Sequence, residues 1–204
     1  MRPETILAFD TSAAQCAAAL LCDGKITLQI EPMDKGQAER LVPLLTELLA
    51  SQGLQWSDLT AIAVGTGPGN FTGVRISVAT ARGLALGLGI PAVGVTRLEA
   101  TAFGHPLPIT VVEDARRGDV YVQGFTAAGP LPAYLAPASD PITGPQTGTG
   151  CEGLPEVMPL VEAIARIAAS RSASPQPRPA PFYLRGADAA PPSDPPPRIL
   201  DAVL

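Results

Sequence analysis

The sequence contains a single histidine, His105, and three cysteines, Cys16, Cys22 and Cys151, none in C-x-x-C spacing. The common zinc frameworks are therefore missing, and any Ser–His–Asp or Cys–His arrangement would have to run through His105. An odd cysteine count argues against a disulfide framework; Cys16 and Cys22, in an apolar stretch, read as small core residues, and a reducing compartment fits. Aromatic residues are only 4% of the chain, which disfavours an aromatic-lined ligand pocket. The 20 glycines and 23 prolines point instead to close backbone packing and many turns. Charged residues are scarce at 16%, the net charge is −5, and no basic stripe is visible. A protein gripping nucleic acid by itself would need such a stripe to displace counterions from phosphates, so any such role is expected to be indirect. Long apolar runs are lacking as well. The longest, residues 83–95, contains Pro91 and is too short to span a bilayer. Glu4 and Asp10 interrupt the first run where a signal peptide would be continuous. The expectation is a cytoplasmic protein with no membrane association.

Hydrophobic residues nonetheless make up 46% of 204 residues, enough to bury a proper core. Residues 5–9 and 16–21 are short apolar runs, and residues 26–30 alternate apolar and polar. Cys22-Asp23-Gly24-Lys25 carries the Asp-Gly signal of a tight hairpin, so a meander of three strands is predicted. In residues 37–51, Leu41, Val42, Leu44, Leu45, Leu48 and Leu49 share an arc of roughly 160° at 100° per residue, the mark of an amphipathic helix. Pro43 lies near its start, and Gly53 suits a left-handed cap at its end. A buried strand at 61–64, a helix at 74–88 and a strand at 90–95 follow, and this alternation defines an α/β class with a mixed sheet. Beyond Thr101, strands are predicted at 109–112 and 120–125 and a helix at 156–169. From Ser170 onward Pro, Ala and Ser dominate, with Phe182-Tyr183-Leu184-Arg185 as an ordered-looking island. The organisation expected is an N-terminal subdomain over 1–100, a smaller one over 101–188 and a proline-rich tail over 189–204.

Two features are candidates for holding an anion. Asp10-Thr11-Ser12 ends the first strand, where an aspartate can orient a metal-bound water and hydroxyls can hold phosphate; the same residues equally serve to cap a turn. The run Gly65-Thr66-Gly67-Pro68-Gly69-Asn70-Phe71-Thr72-Gly73 feeds a helix N-terminus, a geometry that suits anions. It lacks the Lys-Ser/Thr ending of a P-loop and the G-x-G-x-x-G spacing, and a tight strand-to-helix connection at an interface explains it as well. The candidate phosphate- or nucleotide-proximal set is Asp10, Thr11, Ser12, Gly67, Gly69, Asn70 and Thr72.

The helix after the glycine run is apolar on nearly all sides. Val74, Val78, Ala81, Ala85 and Leu88 form one face, and Ala79, Gly83 and Gly87 form a ridge of small residues on another. Together with the leucine-rich helix it offers a docking surface; the alternative is that the two helices merely pack on each other. The candidate partner-interface residues are Leu41, Leu45, Leu48, Val74, Val78, Ala81 and Ala85. Glu113 and Asp114 have the chemistry of an acid–base pair, but adjacent strand residues point to opposite faces. No residue is assigned a catalytic or metal-binding role.

Several stretches resemble one family in order and spacing. They are Ile6-Leu7-Ala8-Phe9-Asp10-Thr11-Ser12, Ala38-Glu39-Arg40-Leu41-Val42-Pro43-Leu44-Leu45, the glycine run through Val74-Arg75, Asp114-Ala115-Arg116-Arg117-Gly118-Asp119-Val120-Tyr121, and Phe182-Tyr183-Leu184-Arg185. Residues 5–188 are similar to the TsaB (YeaZ) family, and the G-x-G-P-G-x-F-T-G-[VL]-R run is the most specific part. The resemblance implies an actin-like ATPase fold (ASKHA, RNase H-like) with two subdomains, the second reduced. It implies a non-enzymatic scaffold subunit for threonylcarbamoyl transfer to adenosine 37 of tRNA, acting by heterodimerising with a larger catalytic paralogue, TsaD. The pairing would use the two helices above. A TsaE-type ATPase would join, tRNA would be contacted only indirectly, and a homodimer would form when the partner is absent. No cofactor of its own is implied; ATP or ADP and a metal belong to the partner subunits. The catalytic paralogue has two metal-binding histidines at the start of the first helix, where Gln37 and Ala38 stand here. Two rival readings are a small ASKHA ATPase or phosphotransferase using Asp10 and loop 65–73, and a metallopeptidase.

Overall fold

The computed structural model describes residues 4–185; the tail expected over 189–204 lies outside them. The chain begins with β1 (Thr5–Asp10), β2 (Gln15–Cys22) and β3 (Lys25–Pro32), an antiparallel meander. Asp23 and Gly24 make the β2–β3 turn with φ of 47° and 77°. Two positive φ values are what a two-residue hairpin matching the strand twist requires. After α1 (Gln37–Ser51), β4 (Ala61–Gly65) lies parallel to β1. After α2 (Phe71–Leu88), β5 (Ala92–Val95) lies parallel to β4. The sheet order is β3-β2-β1-β4-β5.

β1, β2 and β4 are covered on both faces, which explains why they read as continuous apolar runs, while the edge strand β3 alternates. Leu7, Phe9, Ala18, Leu20, Ile62 and Val64 meet α1 and α2. Their strand neighbours Ile6, Ala8, Ala17, Ala19, Ala61 and Ala63 meet α4 (Leu160–Ala169) on the other face. The small alanines let that helix pack close to the sheet. The expected division at residue 100 therefore does not separate the layers: α4 comes from the second half of the chain yet completes the core of the first.

α3 (Arg97–Ala102), capped by Thr96, leads to a second sheet. Its strands are β6 (Ile109–Asp114), β7 (Asp119–Thr126), β8 (Gly129–Pro130), β9 (Tyr134–Pro137) and β10 (Gln146–Thr147). The order is β10-β6-β7-β8, with β9 also paired to β7. Residues 182 and 184 pack with Leu98, Ile109, Val111 and Phe125, so the ordered-looking island lies against the second core.

Two helix ends differ from the sequence reading. α2 starts at Phe71 rather than 74, because the Asn70 side chain accepts from the Gly73 N–H at 3.0 Å and caps the extra turn. α4 starts at Leu160 rather than 156, directly after Pro159. Gly53, at φ 67°, follows α1 as a left-handed cap, and α1 continues through Pro43.

Candidate functional site

At the end of β1 the chain turns sharply. The Asp10 Oδ1 accepts from the Ser12 N–H at 2.9 Å and from the Ser12 hydroxyl at 2.8 Å. The Thr11 hydroxyl donates to the Gly73 carbonyl at 2.7 Å, and the Asn70 N–H donates to the Ser12 carbonyl at 2.7 Å. This turn lies directly on the glycine loop. A Cβ added at Gly65 would sit 2.0 Å from Asp10 Oδ2, at Gly69 2.7 Å from the Ser12 carbonyl oxygen, and at Gly73 1.9 Å from the Thr11 carbonyl oxygen. Three of the four loop glycines are thus required by contact with the 10–12 turn. The turn and the loop therefore form an interlocked strand-to-helix connection.

The predicted phosphate-proximal residues consequently divide. Asp10, Thr11 and Gly67 are buried in the connection, and the Gly67 carbonyl accepts from the Arg97 N–H at 2.7 Å. Ser12, Gly69, Asn70 and Thr72 reach a cleft of about 600 Å³ between the two sheets, whose other wall includes Glu113, Arg116, Tyr121 and Thr149.

A buried ionic cluster ties the two sides together. Glu113, 2% exposed, accepts from Arg97 Nε at 3.1 Å, from the Thr101 hydroxyl at 2.8 Å and from the Thr149 hydroxyl at 2.7 Å. Burial pushes the Asp10 carboxyl above its ordinary range, and the charge of Arg97 and the bonds from Ser12 offset this only in part. Burial works against the Arg97 charge, but Glu113 and Asp10 outweigh it and hold the guanidinium above its usual value. Asp114 points outward, as the strand alternation requires, so it makes no acid–base pair with Glu113. Arg97 and Thr101 lie one turn apart on α3, while Thr149 and Glu113 come from distant segments, so the cluster carried no sequence signal. Among the described residues, no group of three or more His, Cys, Asp or Glu side chains is placed to hold a metal ion.

The predicted partner-interface residues are turned inward. Leu41, Leu45 and Ala81 are 0% exposed, and Leu48, Val74, Val78 and Ala85 are all buried. They pack on the chain's own sheet and belong to its core. Helical periodicity marks the apolar face, and here that face belongs to the core. The outward faces carry Val42 and Thr46 on α1, and Ala79, Gly83, Leu86 and Gly87 on α2.

The chain matches the family described as TsaD: tRNA N6-adenosine threonylcarbamoyltransferase over residues 31–133. It is 38% identical over 121 residues to the Escherichia coli tRNA threonylcarbamoyladenosine biosynthesis protein TsaB, a match covering 57% of this chain and 52% of that one. YeaZ from Pseudomonas aeruginosa has a similar structure, with a TM-score of 0.73, 27% identity, and coverage of 89% of this chain and 100% of that one. The chain belongs to the TsaB (YeaZ) family. Its fold is accordingly the ASKHA-like α/β fold of two sheets. An uncharacterized Mycobacterium tuberculosis protein is 34% identical over 201 residues, covering 92% of this chain and 94% of that one. The chain spans about half the length of the E. coli and Haemophilus influenzae TsaB proteins it matches, 52% and 53%. No helix among the described residues is long and apolar enough to cross a membrane.

Proposed function

We propose that this chain is a non-catalytic scaffold subunit in the formation of threonylcarbamoyladenosine at position 37 of tRNA, acting in the cytoplasm as the partner of a TsaD-type catalytic paralogue. Its similarity to TsaB proteins, whose names place them in that biosynthesis, supports the pathway. The observation that carries the scaffold role is the bare outer face of α2. Leu86 is 77% exposed there, and Gly83 and Gly87 have open space where a Cβ would be. A helix presenting small residues beside one bulky apolar side chain allows another helix to approach closely, and α1 continues the surface with Val42, 44% exposed. A stable pairing needs ~1,200–2,000 Å² of buried surface, which two helix faces are long enough to supply. The close packing of the 10–12 turn on Gly65, Gly69 and Gly73 gives these residues a structural role, which supports this reading over an ATPase or phosphotransferase using Asp10. In the same proposal a TsaE-type ATPase joins the pair, nucleotide and metal reside in the partner subunits, and the bare face closes on a second copy when the paralogue is absent.

Co-purification with the host's TsaD-type paralogue, followed by a tRNA modification assay with and without this chain, tests the proposal. Pairing that is lost in Leu86→Glu, together with loss of modified adenosine on omission, is the expected result. Absence of pairing, with ATP hydrolysis by this chain alone, would overturn it in favour of a phosphotransferase.

A further inference from the structure

A second cleft, of about 700 Å³, shares Gly69, Phe71, Arg116 and Tyr121 with the first. Among the described residues four arginines line it, Arg75, Arg116, Arg117 and Arg185, and no carboxylate does, Asp119 reaching Arg185 from the side. In a chain with 19 acidic and 14 basic residues this is a strong local inversion of charge. The arginines come from α2, from the β6–β7 hairpin and from the segment after α4, so the patch exists only in the folded chain.

The ring positions add a second feature. The Arg75 guanidinium carbon lies 3.6 Å from the Phe71 ring centroid, and its Nε donates to the Tyr183 hydroxyl at 2.9 Å. The Phe71 and Tyr183 rings are 5.3 Å apart at 31°, and each is nearly half exposed, 47% and 45%. Arg185 donates to Asp119 Oδ2 at 2.6 Å and to the Ala115 carbonyl at 3.3 Å, which holds the hairpin in place beside these rings. At the hairpin tip Arg116 and Arg117 have φ of 61° and 57°. Both side chains are exposed.

We propose that this cleft binds single-stranded RNA, with the arginines on phosphates and the Phe71–Tyr183 pair stacking an unpaired base. Guanidinium groups match phosphate geometry, and a base stacked on an aromatic ring is the usual anchor for unpaired nucleotides. The inference rests on the tRNA role above and gives this chain a direct contact, where the dispersed charges of the sequence indicated only an indirect one.

The test is fluorescence anisotropy of the full chain with a short RNA hairpin bearing a single-stranded loop, and with a fully paired RNA duplex. The hairpin should bind, and the duplex should bind about tenfold more weakly. Arg116→Glu with Arg117→Glu should lower the slope of log affinity against log salt by about 1.4, from ~0.7 per lost phosphate contact. Tyr183→Ala should weaken binding about tenfold without changing that slope. Lys25→Glu with Lys35→Glu makes the same charge change outside the cleft and should leave affinity within about threefold. No hairpin binding at low salt, equal binding of the duplex, or an equal loss in the lysine variant overturns the proposal. Pairing with the TsaD-type paralogue is measured on the same preparation, so missing RNA binding with intact pairing sinks this inference alone.

Discussion

Replacing Arg97 with Met tests the cluster that joins the two halves of the fold. The guanidinium sits 3.1 Å from Glu113, and the two side chains are 17% and 2% exposed. In Arg97→Met the Glu113 carboxylate keeps only the hydroxyls of Thr101 and Thr149, at 2.8 and 2.7 Å. Stranding one partner of a buried pair costs about 3–5 kcal/mol. For a chain of this size each kcal/mol moves the melting temperature by about 2–4 °C, so the variant should melt roughly 6–20 °C lower. Adding Glu113→Gln removes the stranded charge, and the double variant should recover to within about 1–2 kcal/mol of the parent. Urea unfolding of the parent, both single variants and the double variant, all at neutral pH, closes the cycle. A loss below about 1 kcal/mol in Arg97→Met, or no recovery in the double variant, would show that the pair does not hold the cleft floor together.

Gly73→Ala would put a methyl 1.9 Å from the Thr11 carbonyl oxygen, a backbone atom that cannot swing away. It should cost about 3 kcal/mol or more in chemical denaturation, and a cost under about 1 kcal/mol would contradict the interlocked turn. Val78→Glu places a charge in the core under the sheet and should cost several kcal/mol, about 3–5, and most of the soluble yield. Leu86→Glu on the outer face should change stability by no more than about 0.5 kcal/mol while disrupting pairing; equal behaviour of the two variants would refute the assignment of inner and outer faces. Hydrogen bonds from Arg40 hold Glu31 down to about 2 and Glu47 below its ordinary value. A depressed native value stabilises the fold above the unfolded value, ordinarily 4.5, and that stability is lost as pH falls through about 2. Arg40→Ala should therefore flatten the dependence of the urea midpoint on pH across that acid window, and an unchanged dependence would count against the network.

Much of the fold was legible in local pattern. Asp23-Gly24 announced the hairpin because only certain residues accept two positive φ values cheaply, and the leucines of α1 announced its buried face through their 3.6-residue period. The glycine run announced a strained connection, although its reason was not written in the run. Gly65, Gly69 and Gly73 are small because the Asp10–Ser12 turn lies on them, and that turn is more than fifty residues away in the chain. The same period that located α1 and α2 misled about their use, because an apolar stripe records that a face is covered and not by what. The sheet of the same chain covers it here, and the bare face of α2 is the ridge of Ala79, Gly83 and Gly87 that the sequence displayed. The return of α4 to the first sheet, the Arg97–Glu113 bridge and the arginine-lined cleft were all decided by tertiary structure alone. Each joins residues from separate segments, and proximity across a fold has no period for a sequence to display.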